Sequence, residues 1–350
     1  MKGLQLTVAL MGLIWQPDVY AHIQQESIPV ASKIKDVVIY ADSMCPNAFP
    51  SVIKKPDEEL LGEQSPLSDL HSLLYTEREW IKVHVAEFLI WKNEYVDEVK
   101  AVFLEEARQF GDIPKYRVGI WRVLAQVALT SEERESWIGR IVAVYNNPSS
   151  VDRLHAIETL AKLGVPVETS PEWVAGITVD HVDAFTIYKL WNAAHHPDVE
   201  PDHVRATCLL LLNQLINQDK INLIPTISYV LRYLKPFTLN EWLQFPDLQV
   251  MMSMPVVVRA NLLATAWMTT PLIGDQRTHS IKNQLMSMEG DPAGLPQLLQ
   301  GLAEQGDVDD REILFRLYNE LRDIHKATYD ADLHAVAAYA LLNLKISAPE

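Results

Sequence analysis

The sequence predicts an all-α protein: an α-solenoid of helix pairs behind a short extended N-terminal segment. Three observations carry this. From Pro66 almost to the C-terminus, apolar residues recur at helical spacing, with no parallel-sheet alternation. The periodic segments are separated by turn and cap residues. One local pattern, a basic residue leading an apolar ladder, returns about every 35 residues, the period of helix-pair repeats.

The first stretch reads as a leader. Lys2 is followed by the uncharged apolar run GLQLTVALMGLIW, then Pro17 and VYA at 19–21. This n-region, h-region and small-residue order is that of a secretory signal peptide spanning 1–21, cleaved near Ala21, and predicts a secreted or periplasmic protein. The run is too short for an ordinary membrane span, and no later stretch reaches the roughly 20 apolar residues one needs.

Residues 22–66 form a distinct segment. VVIY at 37–40 is a β-type run, and FPSVIKKPDEEL (49–60) reads as two short extended pieces meeting at Pro56-Asp57, a candidate hairpin packed on the first helices.

Residues 67–350 form the solenoid. Helical periodicity is clear at 79–92, 97–110, 116–129, 132–145, 151–163, 181–194, 203–217, 256–268, 309–324 and 331–344. The breaks carry Gly111 and Pro114, Asn147-Pro148-Ser149, Gly164 and Pro166, His196-Pro197, and Gly290-Asp291-Pro292. Lys82, Arg117 and Arg153 occupy one repeat position, with further copies at Arg205 and Arg259. The two wider gaps leave room for degenerate units at 184–195 and 228–237.

DRLHAIETLAKLG (152–164) resembles the second helix of HEAT-like repeats of the short bacterial type, which run Val-Arg-x-x-Ala-x-x-Ala-Leu-x-x-Leu-Gly. Arg153, Ala156, Leu160, Leu163 and Gly164 stand at matching positions, and VRA recurs at 204–206 and 258–260. The resemblance implies a binding scaffold, and the family has no shared catalytic residue to carry over. AFPSVIKKPDEELL (48–61) weakly resembles the opening strand of sialidase-type propellers, but the blades that would follow are missing.

Composition bounds the partners. With 46 acidic against 30 basic residues the formal charge is −16 and the pI about 5.1. No concentrated basic surface is encoded, so a nucleic-acid partner is not expected. The two cysteines, Cys45 and Cys208, form no metal-ligand cluster, and nothing calls for a metal or cofactor.

The pattern basic-x-His-x-x-Glu-x-Leu occurs twice, as KVHVAEFL (82–89) and RLHAIETL (153–160). His84 with Glu87, and His155 with Glu158, are the weak catalytic candidates. In a regular solenoid, helices pack about 8–10 Å apart, so copies two repeats apart lie roughly 16–20 Å from each other. That separation forbids a shared site, and the expectation is that each His and Glu satisfy one another. His195-His196 precedes Pro197 at a helix end, and Asp307, Asp309 and Asp310 fit a charged helix start rather than a calcium loop.

The nine tryptophans suggest aromatic packing between helices, with some left to line a groove. Arg117, Trp121, Arg122 and Arg153 are the groove candidates, suited to an anionic glycan or a peptide. The functional expectation is a helical-repeat scaffold binding a protein or peptide partner. The alternative is a carbohydrate-active enzyme, a glycan hydrolase or lyase, on an irregular helical solenoid or toroid. Converging titratable groups from different repeats would favour the second.

Overall fold

The computed structural model describes residues 65–218, 220–328 and 331–344, the side chains of 325–328 excepted. The leader, the extended stretch with its proposed hairpin, and Cys45 lie outside the described residues.

Those residues form seventeen α-helices and no strand. They are α1 (Pro66–Thr76), α2 (Glu79–Lys92), α3 (Val96–Phe110), α4 (Tyr116–Gln126), α5 (Ser131–Asn146), α6 (Arg153–Lys162), α7 (Pro171–Ala175), α8 (Ala184–Ala193), α9 (Pro201–Asn217), α10 (Ile224–Tyr233), α11 (Leu239–Trp242), α12 (Leu248–Ser253), α13 (Val256–Met268), α14 (Gln276–Met286), α15 (Gly294–Gln305), α16 (Arg311–Thr328) and α17 (Asp332–Asn343).

Local chemistry sets the starts. α1 opens with a reciprocal capping box between Ser65 and Ser68, with Pro66 in the first turn. Thr130 caps α5 by accepting from the Glu133 amide. Asp307 accepts from the Asp309 amide and Asp310 pairs with Lys282 at 2.7 Å, so this acidic cluster serves a helix start.

The helices sort into two layers. α2, α4, α6, α8, α10, α13, α15 and α17 pack in that order, each against the next. These inner helices are buried nearly all round: α13 buries every residue from Ala260 to Met268. Helices of that composition need neighbours on all sides. Outer helices such as α3, where only Val99 and Phe103 are buried, cover the inner ones with a single apolar stripe. Inner neighbours touch end to matching end. Asn343 donates to the Ala303 carbonyl, and Gln305 to that of Met268, so α13, α15 and α17 run parallel.

The row of helices closes on itself. α17 packs against both α1 and α2. Lys92 Nζ donates to the Leu342 carbonyl at 2.8 Å, and Phe88 stacks on Tyr339 with centroids 4.5 Å apart. Asp69 accepts from Tyr318 Oη at 2.6 Å and pairs with His334 Nε2 at 2.9 Å. The row of inner helices is therefore a closed ring, the toroid form that the sequence admits only as the alternative to a solenoid.

Two glycines make close approach feasible. A Cβ at Gly301 would lie 2.6 Å from the Trp267 ring, so α15 seats on that indole only without one. A Cβ at Gly119 would meet Val83 at 3.0 Å and Trp80 at 3.1 Å. Trp80 thus lies across α4 at its thinnest point.

Candidate functional site

The inner helices turn polar and aromatic stripes toward one another. On α2, Trp80, His84, Glu87 and Trp91 share a face by their spacing, and on α6 so do His155, Glu158, Thr159 and Lys162. On α10 and α15 the corresponding residues are Tyr229, Arg232 and Tyr233, and Gln297, Gln300 and Glu304. Several of these contacts skip a helix. Trp80 of α2 reaches His155 of α6, Lys162 of α6 lies over Tyr229 of α10, and Lys235 after α10 pairs with Glu304 of α15. Side chains long enough to bridge alternate helices thus line the inner face of the ring.

Trp80 is the hub of the first cluster. Its ring centroid lies 6.3 Å from that of His84 and 5.5 Å from that of His155, and the Arg122 guanidinium sits 5.6 Å over it. Arg122, 1% exposed, forks onto the Glu87 carboxylate with two contacts of 2.8 Å. Gln126 Nε2 also donates to that carboxylate, at Oε1, at 2.8 Å. His84 Nδ1 lies 3.1 Å from Asp332 of α17. On α6, Glu158 lies 3.3 Å from Lys162 and 3.9 Å from His155 Nδ1.

This geometry corrects one expectation. The two histidines touch the same indole, so they lie within about 12 Å of each other, not 16–20 Å apart. Closure bends the inner helices toward one another, and Gly119 removes the side chain that would hold Trp80 off α6. The expected His–Glu pairing holds loosely for His155 and Glu158. In the first copy Glu87 goes to Arg122 and Gln126, while His84 pairs with Asp332.

The groove candidates do not converge. Arg117 bonds Asp152 with Nε at 2.7 Å and Nη2 at 3.1 Å, and lies 5.6 Å over Trp121. Arg140 of α5 approaches the same indole at 6.0 Å, so Trp121 faces the outer layer. Arg153 donates to the Tyr145 carbonyl at 2.8 Å and lies over Phe185. Arg122 alone turns inward. The basic position ties Lys82 of α2 to Glu106 of α3, whereas Arg205 falls on the outer helix α9, where it pairs with Glu241 and with Asp202 of its own helix.

The cluster offers a ligand acceptors on Glu87 and Glu158, donors on Arg122, Gln126 and Lys162, and an indole. Trp80, Gln126, His155 and Lys162 keep partial exposure, while Glu87, Arg122 and Glu158 are buried behind them. Thr159 Oγ1, on the same face of α6 and 1% exposed, has no hydrogen-bond partner among the described residues. Cys208 takes no part: it is a buried free thiol whose pKa burial pushes up to about 12. Among the described residues no group of three or more His, Cys, Asp or Glu side chains is placed to hold a metal ion, and no helix is long and apolar enough to cross a membrane.

The cluster contains the candidates His84, Glu87, His155 and Glu158 and the groove candidate Arg122, while the sequence does not single out Trp80 as their hub, nor Gln126, Lys162 and Asp332. Trp80, Glu87 and Trp91 at i, i+7 and i+11 of one helix were the available signal for the first. Asp332 carries none, because it lies 248 positions from His84. No family model, curated protein or solved structure matches this chain.

Proposed function

We propose that this chain is a binding protein built from HEAT-like helix pairs bent into a ring, and that it takes a carbohydrate in the ring interior. The observation that carries the reading is the cluster around Trp80. Three inner helices bring together an indole, two carboxylates, an arginine, an amide and two imidazoles, with a partly exposed edge. Sugar rings present an apolar C–H face and a rim of hydroxyls, and they are held by that combination of aromatic face and paired polar groups. The mutual pairing of Glu87, Arg122 and Gln126 fixes these side chains before a ligand arrives, which lowers the ordering cost of binding. The HEAT-like element rests on the 152–164 pattern and on inner helices that recur along the chain, and export to the periplasm or exterior on the leader-like start.

Titration calorimetry with neutral and acidic oligosaccharides tests this directly. A sugar should bind the wild-type chain, and Glu158→Gln and Trp80→Phe should each weaken it about tenfold or more with the circular dichroism spectrum unchanged. If no oligosaccharide in a broad panel binds, or if the variants bind as well as wild type, the reading fails.

A protein partner is the second reading, favoured by a different surface. Leu210 on α9, Leu239 at the start of α11 and Leu243 just after its end are 58%, 43% and 55% exposed. Asn213 of α9 donates to the Gln244 carbonyl at 3.2 Å, which joins the two segments. Exposed apolar groups brought together in this way mark interaction surfaces.

A further inference from the structure

A second cluster, on the α10–α13–α15 side of the ring, carries a charge without a counter-charge. Arg232 is 2% exposed. Its Nε donates to Thr265 Oγ1 at 2.9 Å, Nη1 to Gln300 Oε1 at 2.6 Å, and Nη2 to Gln297 Oε1 at 2.6 Å and to both Asn261 oxygens at 3.2 Å. Every acceptor is neutral. Burial lowers the pKa of Arg232 to about 10, still far enough above neutrality to keep it charged. Glu304, the carboxylate that acts on it electrostatically, is bound to Lys235 Nζ at 2.7 Å. Lys162, over the neighbouring Tyr229, lies against Glu158. Counting these pairs, one positive charge is left over.

A buried ion that lacks an opposite charge is costly, and folded chains ordinarily pair it. Nothing steric prevented that here. Gln297 and Gln300 have the size and shape of glutamate, and either carboxylate would have neutralised the guanidinium in place. Two amides instead hold Arg232 in position and leave its charge to be satisfied from outside. Nη1 makes one hydrogen bond, to Gln300, and so keeps a second hydrogen to offer, and Gln297, whose oxygen is taken by Nη2, has an amide nitrogen as a further donor. Gln297, Tyr233 and Lys235 are only half-buried and give the approach.

We propose that Arg232 anchors an anion-binding site, and that the group it receives is a carboxylate or small oxyanion entering past Gln297 and Lys235. Glu304 faces the same approach, but its salt bridge to Lys235 cancels its repulsion of an incoming anion. The site rests on different residues from the Trp80 cluster and stands without a neutral sugar binding there.

Thermal denaturation of the full chain in low-salt buffer decides it. Sulfate, phosphate and glucuronate are each titrated against sodium chloride of matched ionic strength, with glucose as the uncharged control. At least one of the three should raise Tm beyond the chloride control, because a ligand that binds the folded state stabilises it by mass action. A response to glucuronate alone identifies a sugar-borne carboxylate, and a response to sulfate or phosphate a free oxyanion. Gln297→Glu installs the missing counter-charge on an isosteric side chain. It should raise Tm in the absence of anion and abolish the anion response. If no anion exceeds the chloride control, there is no site. If the anions stabilise Gln297→Glu as much as wild type, they bind elsewhere and the proposal is wrong.

Discussion

Arg117 and Arg153 occupy the same repeat position yet hold their helices by different bonds, and this separates their energetics. Arg117 forks onto Asp152, whose carboxylate is fully buried while the guanidinium is one-quarter exposed. Burial pushes the Asp152 pKa up, but the bonds from Arg117 and Ser150 outweigh it and hold the carboxylate below its usual range. Removing Arg117 leaves a buried charge with its main partner gone. Arg153 loses only a bond to the Tyr145 carbonyl and its stacking on Phe185 and Tyr145. Arg117→Ala should therefore cost about 3 kcal/mol and Arg153→Ala roughly 1.5 kcal/mol. Urea denaturation of the two variants measures both. The reverse order would mean that the basic column does not act through the bonds described.

At the scale of elements, periodicity revealed most of the helices and even the irregular units. The stretch 184–195 contains the inner helix α8, and 228–237 overlaps the second half of α10, which starts four residues earlier at Ile224. α15 escaped because its apolar face is interrupted by Gly301 and Pro296 and carries Gln297 and Gln300 toward the polar interior. Its place in the ring depends on Trp267 filling the space over Gly301, a tertiary fit that no local pattern reports. Gly119 is the matching case at the site. In sequence it merely weakens a helix, whereas in the fold it lets an indole cross α4 and join two repeats. Gly119→Val should displace Trp80 and destabilise the protein by about 1–3 kcal/mol, as overpacking does. It should also shift the His155 ring resonances by removing the nearby indole. If those resonances stay in place in a folded variant, Trp80 does not depend on Gly119 for its reach.

Closure is the property of the whole molecule on which the sequence leaves solenoid and toroid side by side, since a repeat period is the same in an open row and in a ring. The bonds that close it join positions about 250 residues apart, and two of them meet at Asp69. Burial alone would raise the pKa of Asp69. The hydrogen bonds from His334 and Tyr318, with the nearby charges of His334 and Arg322, outweigh it and the net shift is downward. A carboxyl group with a depressed folded-state pKa stabilises the fold above its unfolded value, about 3.9, and that contribution disappears as the pH falls through the lower folded value. The Asp69 contribution should thus be constant from pH 7 to about pH 5 and be lost below about pH 4. Asp69→Asn keeps the shape but cannot gain or lose the charge. Its Tm should lie below that of wild type at neutral pH, and the gap should narrow toward pH 3 as the wild-type carboxylate is protonated. Urea unfolding at each pH, followed by far-ultraviolet circular dichroism, would show the same convergence in free energy. A gap that persists at pH 3 would show that the ring is held at this seam by packing such as Phe88 on Tyr339 rather than by the Asp69 charge. In a ring, unlike an open row, weakening the contact between first and last units leaves no free end to fray. The loss should therefore appear in the single global transition and not as a separate early one.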